Sequence, residues 1–424
     1  MWRYVGDLPV IDVPWRAVRA GCATALGLMA IAGSGPAASQ TGQYERPPTF
    51  TASQVLPPEL LHSPNYTIAE RVPVENFQYI YQVQTKWGPF VIKGSDLLRV
   101  RVREIAATLK MEEIDSTSTL VGSAGKTAMR PVQTAKDLVT APGQTIGDTF
   151  KGVGHIFGTV NAATTATDPH KEGVVASLTG GSTARRKLAY DFGVDTNTSF
   201  PPLDAELTRI ATASAFGETS ANVGLAFVTG GAGIAISVGG TSNTLRAALR
   251  DKTAGELEQE GRKYLATMGV SEATTTAFYA TPHLSPTDKA IIVGELVSLG
   301  NAGDRDMFVA GAAKAPSVEM GFFYRRQAEL IGDYNKRIAP VHRFVRLGGA
   351  PMIETDKGVV SLLPVDDLIW TAPIAELAVN ANAERGGAGP AGVWITGKAS
   401  PMASANLEKL GWKVVPKAGA QLGQ

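Results

Sequence analysis

Gly392-Val-Trp-Ile-Thr-Gly-Lys-Ala-Ser400-Pro401-Met-Ala-Ser-Ala-Asn-Leu-Glu-Lys-Leu410-Gly411-Trp-Lys-Val-Val415 reads as strand, helix and strand in succession. Val393 to Thr396 is β-branched and aromatic, a composition that suits a pleated, half-buried surface. Ser400 is an N-cap whose oxygen can accept from a backbone N–H of the first turn, and Pro401 at the first helical position has no N–H to leave unpaired. Gly411 supplies the helix stop, and Trp412 to Val415 is a second short strand. A helical crossover of this length predicts that the two strands are parallel and share one sheet, with Trp394 and Trp412 at least half-buried.

Outward from this segment, Arg343 to Leu347 and Val359 to Leu363 read as strands and Pro373 to Glu384 as a helix, so 341–424 is expected to be a small C-terminal α/β module. Residues 201–340 read as a helical domain. Pro282, Pro286 and Pro316 punctuate it, and Ser285, Pro286 and Asp288 open one helix. Residues 166–200 are expected to be a connector with a basic knot, Arg185-Arg186-Lys187. In 76–165, Phe77 to Val83 and Phe90 to Ile92 form a β-hairpin through Lys86-Trp87-Gly88-Pro89. A helix follows from Asp96, its N-cap candidate, to Ile114, with Leu98, Val102, Ile105 and Leu109 at helical spacing. The prolines of 40–75 predict an extended arm. The expected fold class is therefore α+β: a mainly helical body with an N-terminal β-hairpin and the C-terminal module.

The first 39 residues read as a signal peptide. Arg3, Arg16 and Arg19 precede the charge-free run Ala20 to Ala32, and small residues follow as far as Ser39. The run is too short to span a bilayer, which needs roughly 20 apolar residues. The expected location is outside the cytoplasm, in the periplasm or at the periphery of the outer membrane. The segment contains Cys22, the only cysteine of the 424 residues, so the remainder has no disulfide and no thiolate chemistry. Its removal also takes three Arg and two Asp from the 40 basic and 39 acidic residues, leaving the charges balanced. That balance argues against nucleic acid held by counterion release.

The remaining motifs are weak. Gly122-Ser-Ala-Gly-Lys-Thr127 resembles the end of a phosphate loop, but Leu120 stands where its first glycine belongs, so no nucleotide is expected. Gly230-Gly-Ala-Gly-Ile-Ala-Ile-Ser-Val-Gly-Gly240 fails the dinucleotide spacing at Ile236. The charge-free stretch Thr219 to Leu245 around it is expected to be a buried helical hairpin turning at Gly230-Gly231, with membrane insertion as the alternative. No G-x-S-x-G occurs after the signal segment; Ser242 is the nearest approach. His62, His155, His170, His283 and His342 are scattered, so no catalytic, cofactor or metal residues are assigned. Asp366-Asp367 is expected in a solvated turn. Arg325-Arg326, together with Lys336-Arg337, His342-Arg343 and Arg346, is expected on a solvated face. A frame P-x-Q-T-x-x-D recurs at Pro131 and Pro142, and beyond it Ile146, Phe150, Val153, Phe157 and Val160 make an apolar stripe at helical spacing. That stripe is the expected contact with a membrane surface or an envelope protein. The function expected is exported and non-catalytic. An envelope hydrolase, with His283 or His342 brought beside Ser242 or Asp366, is the alternative.

Overall fold

Ser400 caps a helix in the structure. A computed structural model describes residues 44–61, 63–113, 181–216, 248–387 and 389–424. Residues 1–39, the 146–160 stripe, Gly122 to Thr127, the charge-free stretch 219–245 with Ser242, His62, His155 and His170 lie outside the described residues. The described part, from Tyr44 onward, belongs to one unit and is mixed α+β.

Near the C-terminus, β6 (Val341–Leu347), β7 (Ala350–Thr355), β8 (Gly358–Leu363), β10 (Ala391–Ile395) and β12 (Trp412–Val415) form a sheet of order β12-β10-β8-β7-β6. β6, β7 and β8 run antiparallel as a meander, while β8, β10 and β12 are parallel. Helix α11 (Ala372–Glu384) joins β8 to β10, and α12 (Pro401–Lys409) joins β10 to β12. Ser400 Oγ accepts from Ala403 N at 2.9 Å, and Gly411 adopts φ +78° at the stop. Trp412 is 2 % exposed, and Trp394 packs edge-on against Tyr334 at 5.1 Å. β7 and the two-residue parallel pair β9 (Asp367–Leu368) and β11 (Lys398–Ala399) add to the strands expected.

Helices α6 (Ala254–Thr267), α7 (Glu272–Ala280), α8 (Pro286–Ser298), α9 (Arg305–Ala313) and α10 (Val318–Arg337) precede this sheet. Phe278, Ile292, Phe308, Leu330 and Tyr334 from the helices share one core with Phe344, Ile353 and Leu362 from the strands. Four of these helices start at Thr253, Ser271, Ser285 and Ser317, each accepting from a first-turn N–H.

Residues 44–75 are not an extended arm. They build β1 (Thr49–Thr51), the one-turn helices α1 (Ala52–Val55) and α2 (Pro58–Leu61), β2 (Tyr66–Ile68) and β3 (Arg71–Glu75). The reason is apolar: Ala52, Leu56, Tyr66, Val72 and Val74 are buried, and most of the prolines stand at element boundaries. β4 (Gln78–Thr85) is long enough to pair with β3, β2 and β5 (Gly88–Lys93), all antiparallel. Behind this sheet lie α3 (Ser95–Glu112), α4 (Gly181–Phe192) and α5 (Pro201–Phe216). α3 begins after Gly94 at φ +93°, and Asp96 sits in its first turn instead of at its cap. α4 corrects the expected connector: Leu188 and Ala189 are buried, and Arg185 holds the following loop through Thr196 O and Asp204.

Asp366-Asp367 is not a solvated turn either; the two are 8 % and 3 % exposed. Asp366 accepts from Tyr79 N at 2.9 Å and from Ser95 N at 3.1 Å. The backbone N–H groups of both aspartates donate to Phe77 O at 3.0 and 3.1 Å. Asn76 and Phe77 make the β3–β4 turn at positive φ, 48° and 66°, a conformation that phenylalanine adopts only where its surroundings hold it. Glu45 completes the seam by accepting from Trp370 N and Ser400 Oγ.

Candidate functional site

A cavity of about 500 Å³ opens where α3, α4 and the 193–200 loop meet the starts of α5, α8 and α10. Leu97, Val100, Val194, Leu249, Ile291 and Phe322 supply its apolar wall; Arg101, Arg103, Asp195 and His283 are among its polar lining. Helical spacing places Leu97, Val100 and Arg103 on successive turns of α3, so an apolar path of about 9 Å along the helix ends on a cation.

Gly321 sets the opposite wall. A side chain there would bring its Cβ to 1.9 Å from the His283 carbonyl oxygen. Glycine therefore lets α10 press against the 281–284 backbone and fixes where His283 and Ser285 stand. Ser285 is then committed to capping: its Oγ accepts from Asp288 N at 3.0 Å and donates to Asp288 Oδ2 at 2.8 Å.

Beneath the cavity runs a buried ionic chain. Arg325 meets Asp288 at 3.2 Å and Glu329 at 3.1 Å. Glu329, 1 % exposed, also pairs with Arg326, which reaches Asp96 on α3 at 3.0 Å and Gln424 Oε1 at 2.7 Å. The expected solvated face is thus wrong for Arg325 and Arg326, each 6 % exposed, because three carboxylates from three elements converge on them. Lys336, Arg337, His342, Arg343 and Arg346 are exposed. Burial works to raise the Asp96 carboxyl, but Arg326 and Arg99 outweigh it and hold its pKa below the usual carboxylate range. For Arg325 burial works downward, and Glu329, Asp288 and Asp195 together raise it.

Asp195 links this chain to the cavity. Its Oδ1 accepts from Thr287 Oγ1 at 2.6 Å and from Asn197 N at 2.8 Å. Burial and the Asp288 charge push its pKa up to about 6, with Thr287, Arg325 and Asn197 resisting. Around it, Thr198 Oγ donates to Glu104 and Ser199 Oγ accepts from Arg101. Thr198, Ser199, Ser285 and Thr287 are thereby engaged, and none of them hydrogen-bonds to the His283 ring.

Neither described histidine meets Asp366, whose partners are the backbone groups of Tyr79 and Ser95. His342 instead lies 2.7 Å from Asp356 on the surface. Among the described residues no helix is long and apolar enough to cross a membrane, and no three His, Cys, Asp or Glu side chains are grouped to hold a metal ion. Sequence reasoning passed over Arg103, Asp195 and Asp288 as site residues. The only signal was the alternation Arg99-Val-Arg-Val-Arg103, which on a helix scatters its cations over several faces. No family model, curated protein or solved structure matches the chain.

Proposed function

We propose that this is an exported, non-catalytic envelope protein that holds a small ligand in the cavity between α3, α4, α8 and α10. The observation that carries the binding reading is the cavity itself. At about 500 Å³ it lies within the range of roughly 300–1,000 Å³ of small-molecule sites, and it sets an apolar wall against a lining rich in charged and hydroxyl side chains. Turnover by nucleophile and base would need a hydroxyl or carboxylate paired with a base. Here the lining hydroxyls named above are spent on one helix cap and on hydrogen bonds with Asp195, Glu104 and Arg101, and His283 stands apart from them.

Export rests on the basic, apolar and small-residue order of 1–39, and the envelope location on the same reading. The stripe Ile146, Phe150, Val153, Phe157 and Val160 is proposed as the contact with a membrane surface or an envelope partner. Neither nucleic acid nor nucleotide belongs to the proposal.

The cavity is tested with Nile red, a neutral apolar dye. The protein should take up one equivalent with a blue-shifted emission, and Val100→Trp, which fills the space beside α3, should abolish uptake with the far-ultraviolet circular dichroism unchanged. Equal uptake by the folded variant removes the cavity as the binding site.

A further inference from the structure

Six arginines line the cavity, and they are not equivalent. Arg101 pairs with Glu104, Arg185 with Asp204, Arg250 with Asp251, and Arg325 with Asp288 and Glu329. Arg186 donates to the Arg250 carbonyl at 3.2 Å and to Thr183 at 3.1 Å. Arg103 differs: among the described residues it has no hydrogen bond and no ion pair. Arg103 is half-buried, and burial with the like charge of Arg99 holds its pKa below the ordinary guanidinium value. Taking a cation from water without a counter-charge is costly, so an anion supplied from outside would find an unusually receptive partner.

The position of Arg103 gives that partner a shape. It stands at the end of the α3 path that begins at Leu97 and Val100, with Ile291 and Phe322 also on the apolar wall. The five paired arginines would each have to leave a carboxylate or a carbonyl to serve a ligand, so they offer little to a second anionic group. One receptive cation and one apolar path describe a ligand with one anionic head and one apolar body.

We propose that the cavity binds a single-headed amphipathic anion, with its head on Arg103 and its apolar body along Leu97 and Val100. This rests on the cavity being the binding site, as proposed above, and specifies what it takes. A guanidinium meets a carboxylate or a phosphate oxygen with the same forked N–H geometry, so the head is defined by its negative charge.

The test is titration calorimetry of the protein with dodecanoate, dodecyl phosphate and dodecanol, each below its aggregation threshold. Dodecanoate or dodecyl phosphate should bind one to one, and dodecanol at least ten-fold more weakly. The tighter of the two anions identifies the head as carboxylate or phosphate. Arg103→Gln should weaken the anions roughly ten- to a hundred-fold, as expected for one charge-assisted contact, and leave dodecanol unchanged; Arg103→Lys should restore part of the loss. Thermal unfolding of each variant checks that it is folded. Dodecanol binding as tightly as the anions, or an Arg103→Gln variant that binds them normally, overturns the anionic head while the Nile red result stands. Anion binding that survives Val100→Trp removes the cavity reading as well, and binding of none of the three probes overturns the proposal outright.

Discussion

Single buried side chains carry charge in this molecule in two ways. Arg325, Arg326 and Glu329 are buried and paired, with the half-buried Asp96 ending the chain, the arrangement in which a buried ion is tolerated and the loss of one member is costly. Glu295 shows the other case. It is 4 % exposed, its Oε2 has no hydrogen-bond partner, and the backbone of Gly332 lies so near that a Cβ there would stand 2.1 Å from that oxygen. Burial pushes its pKa up to about 8, with Lys336 opposing and Glu329 and Asp333 adding. The folded pKa lies above the ordinary glutamate value of 4.5, so the native state binds this proton more tightly than the unfolded chain does. Its contribution to stability is full below about pH 4.5 and is lost as pH rises towards 8. Glu295→Gln should therefore raise the urea midpoint at pH 9 and change it little at pH 4.5. A midpoint raised equally at both pH values would mean that packing, and not ionisation, is at work.

At the scale of elements, the legible parts of the sequence were those punctuated by backbone chemistry. Ser400, Pro401 and Gly411 bound α12, and Ser285, Pro286 and Asp288 open α8, because caps and stops act within four residues and need no tertiary partner. The β4–β5 hairpin was legible for the same reason. α4 was not: Gly181–Phe192 has few apolar residues, and its helix is held by burial of Leu188 and Ala189 against a core made elsewhere. The proline-rich stretch misled because prolines mark strand ends as readily as they extend a chain. The candidate site was illegible because Arg103, Asp195 and Asp288 come from three separate elements, and a lone arginine differs from a paired one only through what faces it. The 146–160 stripe is an element known from spacing alone, and its contact with a surface has its own test. In liposome flotation the wild type should rise with neutral vesicles, and a Phe150→Ser, Phe157→Ser double variant should stay below, because interfacial binding tracks buried apolar area. Equal behaviour of the two folded proteins would leave the stripe without a membrane role.

For the whole molecule, the segments 40–75, 76–165, 166–200 and 201–340 do not keep separate interiors. One core takes Val72 and Val74, Ile105, Leu188 and Leu207 from the four in turn. Such sharing is invisible to local reading, since it depends on which apolar faces find one another. The proposed export is also tested at this scale. Mass spectrometry of the protein recovered from an envelope fraction of its host should find an N-terminus at Ser39 or Gln40. An intact Met1 in most molecules would make 1–39 an anchor or a misassigned start.

The seam at Glu45 bears on timing. Glu45 accepts from Ser400, 355 residues further along the chain. At the roughly 5–20 residues per second of protein synthesis, that partner emerges from the ribosome on the order of 20–70 s after Glu45 does. Tyr79 likewise waits 287 residues for the carboxylate of Asp366. For most of its synthesis the first sheet therefore lacks the groups that pin its turn and its leading edge. A growing chain therefore cannot pin its first sheet until Asp366 and Ser400 have been made, so that sheet is among the last parts of the fold to become fixed although its strands are made first.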